Sequence, residues 1–80
     1  MAYLLFGTSG CHLCDEAEKM ITVNKQQIIF ATIDIAEQTQ WYEKYAVNIP
    51  VLLHNDTGAE LFWPFTETDV DEFIRAVNLD

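Results

Sequence analysis

Apolar and polar positions along the chain fall into a series of segments with distinct periods. Tyr3 to Phe6 is an unbroken apolar run, the pattern of a central strand covered on both faces. From Leu13 the apolar residues fall at Leu13, Ala17, Met20 and Ile21. That is one stripe at helical spacing and predicts a helix running to about Asn24. Asp15, Glu16 and Glu18 occupy its first turns, and Lys19 and Lys25 lie near its end, the polarity that the helix dipole favours. Gln27 to Ile35 is rich in β-branched residues and predicts a second strand. A strand, a helix and a strand in about 30 residues make a βαβ unit, so the first two strands are expected to be parallel.

Ala36 to Ala46 carries Trp41, Tyr42 and Tyr45 at helical spacing among polar residues, which predicts a shorter second helix with an aromatic inner face. Pro50 cannot continue a helix and pushes Ile49 into an extended conformation, so a third strand is expected to begin there and run to Leu53. His54 to Gly58 is turn-rich. Glu60 to Trp63 reads as a fourth strand, hairpin-paired with the third and stopped by Pro64. Thr68 is placed to cap a last helix, with Asp69, Asp71 and Glu72 in its first turn and Val70, Phe73, Ile74 and Val77 as its buried stripe. Linkers, repeats and low-complexity segments are absent from the sequence, so residues 1–80 are expected to form a single domain.

Composition narrows the classes of function. Half of the 80 residues are hydrophobic, which suits a small packed core and excludes disorder. The formal net charge is -9, with Lys19, Lys25, Lys44 and Arg75 as the only fixed cations. Such a surface repels phosphate backbones and anionic lipid, so neither nucleic acid nor membrane is an expected partner. The N-terminus has no basic region, and its apolar run is too short for a signal or a span; a cytosolic (cytoplasmic) protein is expected.

The candidate chemistry lies in Cys11-His12-Leu13-Cys14, where the first strand hands over to the first helix. Free backbone N–H groups and the positive end of the helix dipole favour a thiolate at such a place. These are the only two cysteines, so each must pair with the other, with a metal or with a partner. A thiol–disulfide redox site is the first reading. A zinc site is the alternative, but two cysteines fill half a tetrahedral shell, and His12 and His54 lack finger-like spacing. An iron–sulfur cluster bridged between two protomers is a further alternative.

Three segments together, Gly7-Thr8-Ser9-Gly10-Cys11-His12-Leu13-Cys14, Tyr45-Ala46-Val47-Asn48-Ile49-Pro50-Val51-Leu52 and Leu61-Phe62-Trp63-Pro64-Phe65, resemble the small bacterial glutaredoxin-like proteins of the thioredoxin-fold superfamily. The resemblance covers essentially the whole chain. It implies an α/β fold of the minimal glutaredoxin type, β-α-β-α-β-β-α, with a four-stranded mixed sheet and three helices. It also implies a thiol–disulfide oxidoreductase; Cys11, nearer the exposed helix start, is the candidate nucleophile, and Cys14, one turn on and more buried, the resolving thiol. His12 and Leu13 would modulate the pair, His12 either by stabilising the thiolate or by accepting its proton.

By the same resemblance Pro50 is a cis proline facing the cysteines. A cis Ile49–Pro50 bond would offer the Ile49 N–H and C=O to an extended substrate. Trp63, Thr68 and Asp69 complete the expected substrate-binding set, with Trp63 or Phe65 assigned to the core. Asp34 is read as a solvated turn residue on an edge strand. No bound cofactor or metal is expected. Glutathione is a candidate co-substrate, a disulfide-bearing protein a candidate partner, and a reductase system would recycle a monomeric enzyme. The chain departs from the best-studied glutaredoxins at His12-Leu13, at Thr8 where a lysine often stands, and at Trp63-Pro64-Phe65 in place of a Gly-Gly turn. These residues leave the choice between glutathione and protein substrates open. The rival reading is a non-catalytic binding module, or a metal or iron–sulfur protein, that uses the same cysteines.

Overall fold

The computed structural model describes residues 2–78. Its elements are β1 (Tyr3–Gly7), α1 (His12–Thr22), β2 (Phe30–Asp34), α2 (Thr39–Tyr45), β3 (Val51–His54), β4 (Ala59–Phe62) and α3 (Glu67–Val77), the expected β-α-β-α-β-β-α order. The strands form one sheet in the order β2-β1-β3-β4. β1 pairs with β2 in parallel, while β1 with β3 and β3 with β4 are antiparallel. The apolar run of β1 thus lies inside the sheet and β2 lies at its edge.

Side-chain alternation on β1 and β3 splits the core into two layers. Tyr3, Leu5 and Leu52 face one side, where Ala17 and Ile21 of α1, Phe65, and Val70 and Ile74 of α3 close over them. Phe6, Val51 and Leu53 face the other side and pack with Ile35 and Tyr45, with Trp41 against them. Burying such side chains fully contributes roughly 1.5–3 kcal/mol each for the larger aliphatic and aromatic ones.

Several expectations are corrected by packing. The buried positions of α1 are Cys14, Ala17 and Ile21, so Leu13 is not part of the inner stripe and is 43 % exposed. On α2, Trp41 and Tyr45 face inward, four residues apart, and Tyr42 points to solvent. β2 is shorter than its β-branched sequence, because β1 offers partners only from Tyr3 to Gly7, opposite Phe30 to Asp34. Ile29 accordingly lies outside the strand and is exposed. β3 begins at Val51 rather than with the residues before it, and β4 ends at Phe62, one residue short of Trp63. Thr66, not Thr68, caps α3; its side chain accepts the Asp69 N–H at 3.1 Å while Asp69 accepts the Thr66 N–H at 2.9 Å.

Candidate functional site

The sheet register gathers four chain segments at one end. Gly7 lies opposite Asp34, Phe6 opposite Val51, and Val51 opposite Phe62. The loop leaving β1, the residues after β2, the approach to β3 and the chain leaving β4 therefore emerge together. The first of these carries the cysteines and the third carries Pro50.

The loop after β1 turns at Gly10, whose φ of +77° is in the left-handed region that glycine tolerates. The Cys11 N–H donates to the Thr8 carbonyl at 3.3 Å, closing that turn. Cys11 is then the N-cap of α1: its backbone is extended (φ -85°, ψ 107°) and its Sγ accepts the Cys14 N–H at 3.1 Å. A sulfur thus takes the place that a Ser or Asp oxygen usually takes at a helix start. Cys11 and Cys14 are joined as a disulfide, with their Cα atoms 5.2 Å apart. Cys11 is half-buried and Cys14 buried, so the first sulfur is the more accessible of the two. The Cys14 N–H and the positive end of the α1 dipole thus meet at the Cys11 sulfur.

The other expected site residues fall into separate groups. His12 and Leu13 are exposed at the first positions of α1, beside Cys11 in the chain. The Ile49–Pro50 peptide bond is cis, as is Trp63–Pro64, and the two prolines are tied together because the Trp63 N–H donates to the Pro50 carbonyl at 3.2 Å. The Ile49 N–H is not free: it donates to the Tyr45 carbonyl at 3.1 Å, which also takes the Asn48 N–H at 2.8 Å. Trp63 meets Phe65 edge to face with ring centroids 5.0 Å apart, and Phe65 is the core residue of the two. Asp69 holds the N-terminus of α3 and Thr68 is exposed in its first turn. Asp34 caps its own turn by accepting the Ala36 N–H at 2.9 Å on the edge strand.

A cleft of about 210 Å³ opens beside Cys14, lined by Gly7, Thr8, Ser9, Asp15, Glu18, Thr32 and Asp34 among others. Its charged lining is wholly acidic. The four fixed cations stand elsewhere. Lys19 and Arg75 lie in the last turns of α1 and α3, helices that start at the cysteine end and run away from it, and Lys25 lies beyond α1. Lys44 is bound 3.5 Å from Glu60. Among the described residues no group of three or more His, Cys, Asp or Glu side chains is arranged to hold a metal ion, and no helix is long and apolar enough to cross a membrane.

Two contacts carry no signal in the one-dimensional pattern. One is the approach of the bare Gly7 Cα to Cys14. The other is the bond that the Tyr45 hydroxyl donates to Glu60, from α2 to β4.

Comparison with known proteins gives the same outline. The family model for a glutaredoxin-like domain (DUF836) matches residues 3–75. Two solved structures of the Northeast Structural Genomics target protein XcR50 from X. campestris superpose closely. The X-ray structure has a TM-score of 0.83 at 28% identity, covering 94% of this chain and 97% of that one. The solution structure has a TM-score of 0.80 at 29% identity, covering 95% of each chain.

Proposed function

The chain belongs to the glutaredoxin-like domain family (DUF836) and has its small thioredoxin-like fold, and from that membership we propose that it is a thiol–disulfide oxidoreductase acting by dithiol exchange. The observation that carries this reading is the Cys11 sulfur at the N-cap of α1, hydrogen-bonded by the Cys14 N–H and paired with the buried Cys14. The Cys11 thiolate attacks a substrate disulfide, forming a mixed disulfide and releasing one substrate thiol. The Cys14 thiol then attacks Cys11, releases the second substrate thiol and leaves the Cys11–Cys14 disulfide. Two electrons pass from the cysteine pair to the substrate, and glutathione or a reductase system returns them. The expected substrates are protein or glutathione mixed disulfides in the cytosol.

Two features favour the protein branch. Exposed apolar residues stand near the cysteines in the chain or at the same sheet end, Leu13 at 43 % exposure and Val47 at 93 %. Among the described residues no lysine or arginine lines the cleft beside Cys14 to meet the carboxylates of glutathione, and Lys44 is paired with Glu60. In this reading an extended peptide docks on the backbone of the Ile49–Pro50 segment and not on the Pro50 ring, which is fully buried. With the Ile49 N–H held by Tyr45, that peptide must displace the internal bond or pair elsewhere.

The test is a trapping experiment. Cys14→Ser is expected to accumulate a stable mixed disulfide with a model peptide disulfide or with oxidised glutathione, because the resolving thiol is gone. Cys11→Ser is expected to trap little, because the remaining thiol is buried. Equal trapping by both variants, or none by either alongside a wild type that never turns over, would transfer the cysteines to a binding role.

A further inference from the structure

We propose that Gly7 is a positioning residue, kept free of a side chain so that the Cys14 sulfur can reach Cys11. The proposal rests on the dithiol reading above and deepens it. Of the three glycines, Gly10 and Gly58 both have φ of +77°, a conformation that explains them without further cause. Gly7 has no such need. It sits in β1 opposite Asp34, and its carbonyl accepts the Ile35 N–H at 2.9 Å. Glycine in a paired strand weakens it, so its presence there calls for a packing reason.

The reason is the neighbouring sulfur. A β-carbon on Gly7 would stand 3.0 Å from both Cβ and Sγ of Cys14, inside the roughly 3.5–4.0 Å at which such atoms pack. The Cys14 Cβ is held by α1, whose Ala17 and Ile21 anchor the same face in the core. The contact with Cβ is therefore the same in both redox states, and only the contact with Sγ can be relieved, by rotation about the Cα–Cβ bond. That rotation is open to a free thiol and closed to a sulfur bonded to Cys11. A side chain at position 7 accordingly penalises the disulfide more than the dithiol.

The step affected is ring closure. The Cys14 thiolate attacks the Cys11 sulfur of the mixed disulfide, the Cys11–Cys14 bond forms, and the bond from Cys11 to the substrate sulfur breaks. The substrate sulfur leaves with the bonding pair and takes a proton from solvent. The first attack, by Cys11 on the substrate, does not require Cys14 to move.

The experiment is Gly7→Ala in the full chain, equilibrated with dithiothreitol redox buffers and followed by thiol alkylation. The expected result is an equilibrium shifted toward the dithiol by about tenfold, or roughly 30 mV for the two-electron couple, with a mixed disulfide on Cys11 that lasts correspondingly longer. A potential within about twofold of wild type in that equilibrium constant, or a shift toward the disulfide, overturns the proposal. Should Gly7→Ala fail to fold, the double variant Gly7→Ala/Cys14→Ala decides. A folded double variant assigns the damage to the sulfur and supports the proposal, whereas an unfolded one makes Gly7 a purely structural residue and overturns it. A wild-type pair that oxidises and reduces reversibly but turns over no substrate removes the enzymatic reading alone, since the shift in potential is measured without a substrate.

Discussion

Cys11 closes the N-terminus of α1 with its own sulfur, so the atom that would attack a disulfide also satisfies a helix-start N–H that water would otherwise meet. Cys14 takes the inner position that period-reading assigns to Leu13, because the stripe through Ala17 and Ile21 continues to residue 14 and leaves residue 13 outside. The pair could be read from the sequence as a dithiol at a helix start, but which neighbour faces solvent depends on where the sheet lies. Tyr45 shows the same limit. Its aromatic ring is legible as core, stacked on Phe6 at 4.6 Å, while its partner Glu60 lies on a strand that only the register brings near. Burial and the neighbouring Glu60 carboxylate hold the Tyr45 phenol well above its ordinary range, and burial raises Tyr3 in the same direction. The folded chain keeps these protons where the unfolded chain gives them up, so stability from this source is constant below about pH 10 and falls above it. Tyr45→Phe is expected to flatten that alkaline fall and to lower stability near neutrality by about 1.5–3 kcal/mol, read by urea unfolding across pH. An alkaline slope equal to that of wild type would falsify the assignment.

At the level of elements, helix boundaries follow caps and strand boundaries follow partners. Both Thr66-Glu67-Thr68-Asp69 and Thr68-Asp69-Val70-Asp71 satisfy the capping pattern, so local sequence alone does not choose between them. Packing chooses. Phe65 and Val70 lie in the same core cluster, a hydrophobic staple that sets Thr66 at the N-cap, and Asp71 is engaged instead by Arg75 at 3.1 Å and Gln26 at 3.0 Å. Thr66→Ala should therefore cost about 1 kcal/mol in urea unfolding. Thr68→Ala should stay within about 0.5 kcal/mol. The reverse ranking would restore Thr68 as the cap. The same dependence explains β2, which ends where β1 has no more residues to pair, and β4, which stops before Trp63 and the cis bond to Pro64.

For the molecule as a whole, acidity is uneven in its consequences. A net charge of -9 surrounds a cysteine cleft whose charged lining is acidic, so an anionic disulfide is expected to be repelled and a cationic one attracted. Raising ionic strength from about 0.01 to 0.15 M shortens the screening length from roughly 30 to 8 Å. Reduction of oxidised glutathione is expected to speed up over that range, and reduction of a lysine-flanked peptide disulfide to slow down. Identical salt dependence for the two would remove surface charge from the encounter. From the residues alone follow the element order, the strand-to-helix placement of the cysteines and the sign of the surface, because period, turn chemistry and charge are local or additive. Only the tertiary structure decides that Leu13 points outward, that the Ile49 N–H is already engaged, that Thr66 is the cap, and that the bare Cα of Gly7 lies against the Cys14 sulfur. Each of those depends on which distant segment the sheet register brings into contact, and contact distances are not written in the spacing of residues along a chain.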